Sequence, residues 1–284
     1  MQPGELAART RTVSQLGDIV QAMRTLASAR RRQAQERFSG LERYAAAARA
    51  ALGDALALLG VAAEAPMCAP TGARRVVVLL SEHGFVGALN DRLLDVALGS
   101  CRTHHAELVA VGGRGRRLCR ERSVEAADGG AMPTTVAAAQ ATAQRLIAEL
   151  FGAVAEGRVG EMYVVFAEHR PPVGWAPREL RLFPPDVSDS GGPVRDSGAI
   201  HTLEPRVLAA RAIEEYAFAQ VSWAVGEAFA SEQAARFVAM DTARHHIEEK
   251  LGELRALERQ LRQESITSEI IEIASGAESS EAAP

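Results

Sequence analysis

The sequence predicts an α/β fold with a long antiparallel coiled coil: long N- and C-terminal helices flanking an inserted small α/β domain. Three observations carry this expectation. Apolar or small residues recur every seven positions near both ends of the chain. Between them the pattern changes to short β-branched runs alternating with helical segments. Proline and glycine gather where one pattern gives way to the other. The expected parts are an N-terminal coiled-coil helix over residues 1–62, the α/β insert over 73–200, a C-terminal coiled-coil helix over 204–276, and a flexible tail over 277–284.

Residues 5–59 contain no proline, and their only glycines are Gly17, Gly40 and Gly53. Val13, Val20, Ala27, Ala34, Leu41, Ala48 and Ala55 fall seven apart. A second row, Leu16, Met23, Arg30, Arg37, Tyr44, Ala51 and Leu58, is apolar except for two arginines. Together they read as the a and d positions of one uninterrupted helix, about 80 Å long. Alanine dominates the seam. Small residues let helices approach closely but bury little area each, so the stem calls for a partner or a sleeve.

Residues 66–72 read as a linker. Residues 75–80 form a continuous β-branched and leucine run, hence a buried strand. Helix follows over 88–102, strand over 107–111, a short helix over 114–122, and a longer helix over 134–156 with Thr134 or Thr135 as its N-cap. A third strand is expected over 160–167. The alternation argues for a parallel sheet. Residues 171–198 are rich in Pro, Gly, Asp and Ser, with one candidate strand at 179–183. From residue 204 to about 275 the helical pattern returns. Pro205 sits in the first turn, where its missing N–H costs nothing. Met240, Ile247, Leu254 and Leu261 again fall seven apart.

Composition narrows the function. An apolar fraction of 47% over 284 residues supports a real core. A net charge of -4 argues against a general nucleic-acid binder. Lys250 is the only lysine among 32 basic residues, which reads as a GC-rich coding bias and not as chosen chemistry. Cys68, Cys101 and Cys119 show no CxxC spacing; buried structural roles in a reducing compartment fit them. No apolar run reaches the ~18 residues of a membrane span, and the N-terminus has no signal-peptide core. The chain is expected to be soluble yet able to attach to a membrane complex.

The stretch SEHGFVGALN, residues 81–90, follows a strand and opens a helix, as phosphate-binding loops do. It has neither GxxxxGK[ST] nor GxGxxG, and Gly113-Arg114-Gly115 lacks a third glycine. Gly84 and Gly87 are better read as a tight strand-to-helix turn. Ser81 and His83 stand outside any GxSxG elbow. His245 and Glu249 have metal-ligand spacing, but HExxH is absent and a solvated helix face is the better reading. No catalytic, cofactor-binding or metal residue is therefore expected. Arg24, Arg30, Arg31 and Arg32, extended by Arg37, Arg43 and Arg49, have few balancing acids. They read as a basic face for an acidic protein surface, or else as a solvated face.

Several stretches together resemble one family. IVQAMRTLASARRRQAQ (19–35) looks like I-x-x-A-M-x-x-V-A-x-x-K followed by basic residues and R-x-A-Q. SEHGFVGALN is similar to S-D-x-G-L-C-G-x-x-N, and VGGRGRRLCRER (111–122) to G-R-K-G-x-x-x-x-x-R. Glu204-Pro205 opens the last helix as that family's E-P does. ASEQAARFVAMDTA (230–243) and RQESITSEIIEIASGA (262–277) are close to A-S-E-x-x-A-R-M-x-A-M-x-x-A and R-Q-x-x-I-T-x-E-L-x-E-I-x-x-G-A. On these residues the chain resembles the gamma subunit of F-type ATP synthases. It departs from the pattern at Glu82, Val86 and Leu89, where the family has Asp, Cys and an aromatic, and at Arg30, where Lys is usual.

The resemblance implies a non-catalytic rotor shaft without cofactor or direct small-molecule substrate. It would turn inside a hexamer of alpha and beta subunits, with its insert gripping the epsilon subunit and the c-subunit ring. The complex would pump protons or sodium ions, with this chain peripheral on the cytoplasmic face of a bacterial inner membrane. The resemblance implies subunit contacts at Met23, Arg24, Arg30, Arg31 and Arg32, and again at Arg262, Gln263, Thr267 and Glu269. It makes Ser81, Gly84 and Gly87 a structural turn. Ile266, Ile270 and Ile273 would face either the first helix or an apolar bearing in the hexamer. A coiled-coil scaffold explains the heptads but not residues 230–243 and 262–277. An enzyme would rest on the α/β insert alone.

Overall fold

The computed structural model describes residues 3–59, 72–170, 174–185 and 202–281. In chain order the elements are α1 (Pro3–Phe38), α2 (Leu41–Ala57), β1 (Ala73–Leu79), α3 (Leu89–His104), β2 (Glu107–Val111), α4 (Gly113–Glu121), β3 (Ala127–Asp128), a 3-10 turn (Val136–Ala138), α5 (Ala139–Ala155), β4 (Val159–Arg170), β5 (Gly174–Phe183) and α6 (Pro205–Glu281). The chain divides into two compact units, residues 1–26 with 239–284, and residues 27–238.

The unit of residues 27–238 is built on a five-stranded sheet in the order β3-β2-β1-β4-β5. β1 pairs parallel with β2, Val77 opposite Val109, and parallel with β4, Val77 opposite Val164. β5 runs antiparallel to β4. Successive strand side chains point to opposite faces, so the sheet makes two cores. Val77, Leu79, Val164 and Phe166 pack with α2, α5 and α6 residues such as Leu52, Leu146 and Val221. Val76, Val78, Leu80 and Val165 pack with Leu93 and Leu94 of α3 and Leu118 of α4. The apolar run of β1 is thus explained: both of its faces are covered.

Several expectations are corrected here. Residues 5–59 are not one helix. The chain turns at Ser39 and Gly40, between α1 and α2. Glycine is the weakest helix former after proline, and across the break Phe38 and Leu41 close on Gly226 of α6, where a Cβ would lie 3.2 and 3.0 Å from them. The second heptad row was also displaced. Leu16 and Leu58 are exposed, and the inward partners of Ala27, Ala34, Ala48 and Ala55 are Arg24, Arg31, Phe38, Ala45 and Leu52. The sheet is mixed, not wholly parallel, because the β4–β5 connection is short enough only for a hairpin. The strands expected at 160–167 and 179–183 grow to Val159–Arg170 and Gly174–Phe183, since cross-strand pairing recruits polar flanks. β3, two residues long, had no sequence signal. Thr135 does cap, accepting from Ala138 N–H, but the cap opens a 3-10 turn before α5. α6 continues through Glu281 beyond the expected end at 276; Gly276 does not end it, and no proline lies in its last turns. Cys68, the 66–72 linker apart from Gly72, and residues 186–200 lie outside the described residues.

In the unit of residues 1–26 and 239–284, α1 and α6 run antiparallel. Arg24 pairs with Asp241 at 2.9 Å, and Gly17 lies against Ile247. Met240 and Leu254 are buried, and Ile247 and Leu261 half-buried, as their sevenfold spacing predicts. From Arg262 to Ile271 every α6 residue is exposed. Packing on the first helix is therefore not what Ile266 and Ile270 do, at 50% and 61% exposed. Ile273 lies beyond the described side chains.

Candidate functional site

The SEHGFVGALN stretch closes on itself at its two ends. Ser81 N–H donates to Asn90 Oδ1 at 2.8 Å, Asn90 Nδ2 donates to Ser81 Oγ at 2.7 Å, and Ser81 Oγ–H donates to the His83 carbonyl at 2.8 Å. Both side chains are buried, so each polar atom needs a partner and finds one in the other. Phe85 and Gly87 have positive φ, 62° and 56°, which turn the strand into α3.

Glu82 holds the next element. Its carboxylate accepts from Gly113 N–H and Met132 N–H, each at 2.9 Å, and so occupies the N-terminus of α4. The glycines around Arg114 serve the same closeness. A Cβ on Gly112 would lie 2.4 Å from the Leu80 carbonyl oxygen, and one on Gly115 would lie 2.2 Å from Leu80 Cβ. The apparent second phosphate loop is a packing site for α4 against the end of β1.

The loop is then clamped to α6. Arg236 reaches the Gly84 carbonyl at 3.3 Å and the His83 carbonyl at 3.4 Å. The same guanidinium pairs with Glu232 at 2.6 Å and donates to Gln233 at 3.2 Å. Arg236 is 7% exposed and Glu232 3%. Burial pushes the Glu232 carboxyl above its ordinary range, and the Arg236 charge works against that rise. The two stretches quoted for their family resemblance, 81–90 and 230–243, thus meet through one arginine. The polar groups of Ser81, Glu82, His83 and Gly84 named above are engaged within the chain. Their chemistry is that of a joint.

Further polar ties fasten α6 within the same unit. Glu227 accepts from His169 N–H at 2.8 Å, at the end of β4, and burial raises its carboxyl pKa. Gln220, wholly buried, donates to the Ala45 carbonyl at 3.1 Å. Tyr44 donates to Glu215, and its pKa is pushed up to about 12 by burial and by that carboxylate. Arg178 lies 4.7 Å over the Trp223 ring.

The expected contact residues are not brought together as one face. Arg24 is paired with Asp241, and Arg31 lies 5.5 Å over Phe237. Both sit in the inward row. Met23 and Arg30 are half-buried and Arg32 is exposed. Arg262 pairs with Glu258 at 3.6 Å, the Gln263 carbonyl accepts from the Thr267 hydroxyl at 2.8 Å, and Glu269 is exposed. Ser81 and Gly87 stand in the turn as expected, and Gly84 offers its carbonyl to Arg236. Sequence reasoning missed Gln220, Glu227, Glu232 and Arg236. Their signal was available: they are among the few polar residues in a helical stretch that is mostly apolar on all sides.

A family model described as ATP synthase matches residues 3–279. The ATP synthase gamma chain of Solibacter usitatus is 30% identical, over 98% of each chain. That of Moorella thermoacetica is 28% identical, over 96% of this chain and 97% of that one. Among solved structures, the rotor of Euglena gracilis mitochondrial ATP synthase superposes with a TM-score of 0.68 at 15% identity, covering 93% of this chain and 98% of that one. The central stalk of the Tetrahymena thermophila mitochondrial enzyme gives 0.58 at 18% identity, covering 79% and 99%. At these identities the structures speak for the fold.

Proposed function

The chain belongs to the ATP synthase gamma-chain family, and on that premise we propose that the clamp between the glycine loop and α6 is the joint through which this subunit transmits torque. The chain is the central rotor shaft of F-type ATP synthase. It carries torque between the membrane c ring and the catalytic alpha/beta hexamer, with the epsilon subunit as a further partner. The observation that carries the joint is Arg236, which fastens an α/β loop to a 77-residue helix by a buried ion pair and backbone carbonyls. A push on the insert then reaches the helix without a flexible linker.

The shaft itself performs no chemistry in this reading; nucleotides belong to the hexamer. Among the described residues no helix is long and apolar enough to cross a membrane, which suits a peripheral subunit on the cytoplasmic face of a bacterial inner membrane, in a complex that moves protons or sodium ions. Arg32, Arg262, Gln263, Thr267 and Glu269 are the exposed residues fitted to touch the hexamer, and Met23 and Arg30, half-buried, are the next candidates. A helix pair lacks the symmetry of a ring, so each angle presents different side chains to each catalytic subunit. Only such differential contacts can change the relative free energies of the sites. The test is purification of the native complex through a tag on this chain, followed by recording of a bead fixed to the insert. Co-purification of alpha and beta subunits with ATP-driven turning is expected. Recovery of the chain without them would sink the rotor reading.

A further inference from the structure

A cavity of about 730 Å³ opens where α1 gives way to α2, within the unit of residues 27–238. Its size falls in the range of sites that take small organic ligands. Three half-buried rings line it: Phe38 at the end of α1, Tyr44 on α2 and Phe218 on α6. Tyr44 and Phe218 already stand edge-to-face at 6.5 Å, the geometry with which rings receive another ring. The opposite wall is the 3-10 turn and the first residues of α5, including Ala139 and Gln140. At the rim, Glu36 and Arg37 offset each other's charge. Ser222 also lines the cavity, and its hydroxyl has no hydrogen-bond partner.

We infer that this cavity is a binding site for a small, uncharged, amphipathic aromatic molecule, whose ring lies among Phe38, Tyr44 and Phe218 and whose polar group meets Ser222. Glu36 and Arg37 are the only charged residues of the lining, so its formal charge is zero and favours neither an anion nor a cation. A purely apolar molecule leaves the Ser222 hydroxyl unanswered.

The probe is 2-naphthol, a flat ring with one hydroxyl, neutral at pH 7. It is titrated by calorimetry into the full chain and into the assembled ATP synthase. Saturation at one molecule per chain is expected in both. Ala139→Phe fills the cavity and should weaken binding about tenfold or more. Should that variant fail to fold, Gln140→Trp, at an exposed position, blocks the mouth and should do the same. Ser222→Ala should weaken binding about threefold, the share of one hydrogen bond. Absence of saturation, or equal affinity in Gln140→Trp, overturns the proposal. Binding by the free chain that disappears in the assembled complex also overturns it, and identifies the hollow as a seat for another subunit.

Discussion

Arg236 serves four acceptors with one guanidinium, and Glu232 is the only one that carries charge. Removing one partner of a buried pair leaves the other charge without compensation. Arg236→Met should destabilise the chain by about 3–5 kcal/mol, measured by urea unfolding. Adding Glu232→Gln should recover a large part of that loss. If the double variant is as unstable as the single one, the carbonyl contacts and not the ion pair hold the loop. Glu227 behaves differently. Burial raises its folded pKa, so it favours the protonated form in the native state. Its contribution is fully present below the unfolded pKa and is lost as pH rises through the raised folded one. Glu227→Gln keeps an acceptor for His169 N–H but cannot ionise. The variant should melt higher than the parent at pH 7, and the gain should vanish as pH falls below the ordinary carboxylate range. A gain that persists at low pH would trace the effect to something other than ionisation.

At the scale of elements, the glycines divide by what surrounds them. Gly40 has helical φ and ψ and open space where a Cβ would stand. Gly40→Ala should therefore stabilise by about 0.5–1 kcal/mol, visible as a shifted denaturation midpoint. Gly115 is the opposite case, because Leu80 already occupies that space. Gly115→Ala should cost about 1–3 kcal/mol through overpacking, with α4 the first helix to lose amide protection. Ala27, Ala34, Ala48 and Ala55 are buried as their spacing predicts, and only the second heptad row is displaced. The row of Leu16, Met23, Tyr44 and Leu58 is broken by Arg30 and Arg37, and the inward row carries two arginines as well, Arg24 and Arg31, so an apolar count does not separate them. The arginine stems can pack in a seam while their heads find Asp241 and the Phe237 ring. An apolar count along one helix cannot see what the facing helix offers.

For the whole molecule, the outward polar residues of the closing helix are the ones to test in the assembled complex. Arg262→Ala with Gln263→Ala should lower steady-state ATPase while leaving assembly and the helical content of the free subunit unchanged, because residues 262–271 are all exposed within the chain. Loss of assembly along with activity would assign these residues to holding the complex together. Unchanged turnover in an intact complex would show that they make no contact that matters to catalysis.

Heptad spacing at both ends, the β-branched run of β1 and the alternation of strand and helix by themselves determined helices at both ends and an inserted α/β layer, while the family resemblance came from ordered motifs such as residues 230–243 and 262–277. These are local or periodic properties, and 3.6- and 2-residue periods are written along one chain. Glycine-rich stretches that lacked the spacings of phosphate loops already argued for a corner. Only the tertiary structure decided the break at Ser39 and Gly40, which depends on Gly226 lying across from Phe38 and Leu41. It alone set β5 antiparallel beside β4, turned Arg24 and Arg31 inward, and joined Arg236 to a loop some 150 residues earlier in the chain. Each of these depends on which atoms stand opposite one another once distant segments meet. No period along the sequence encodes that, since partner and distance are settled by packing and by the need of buried polar groups for one another.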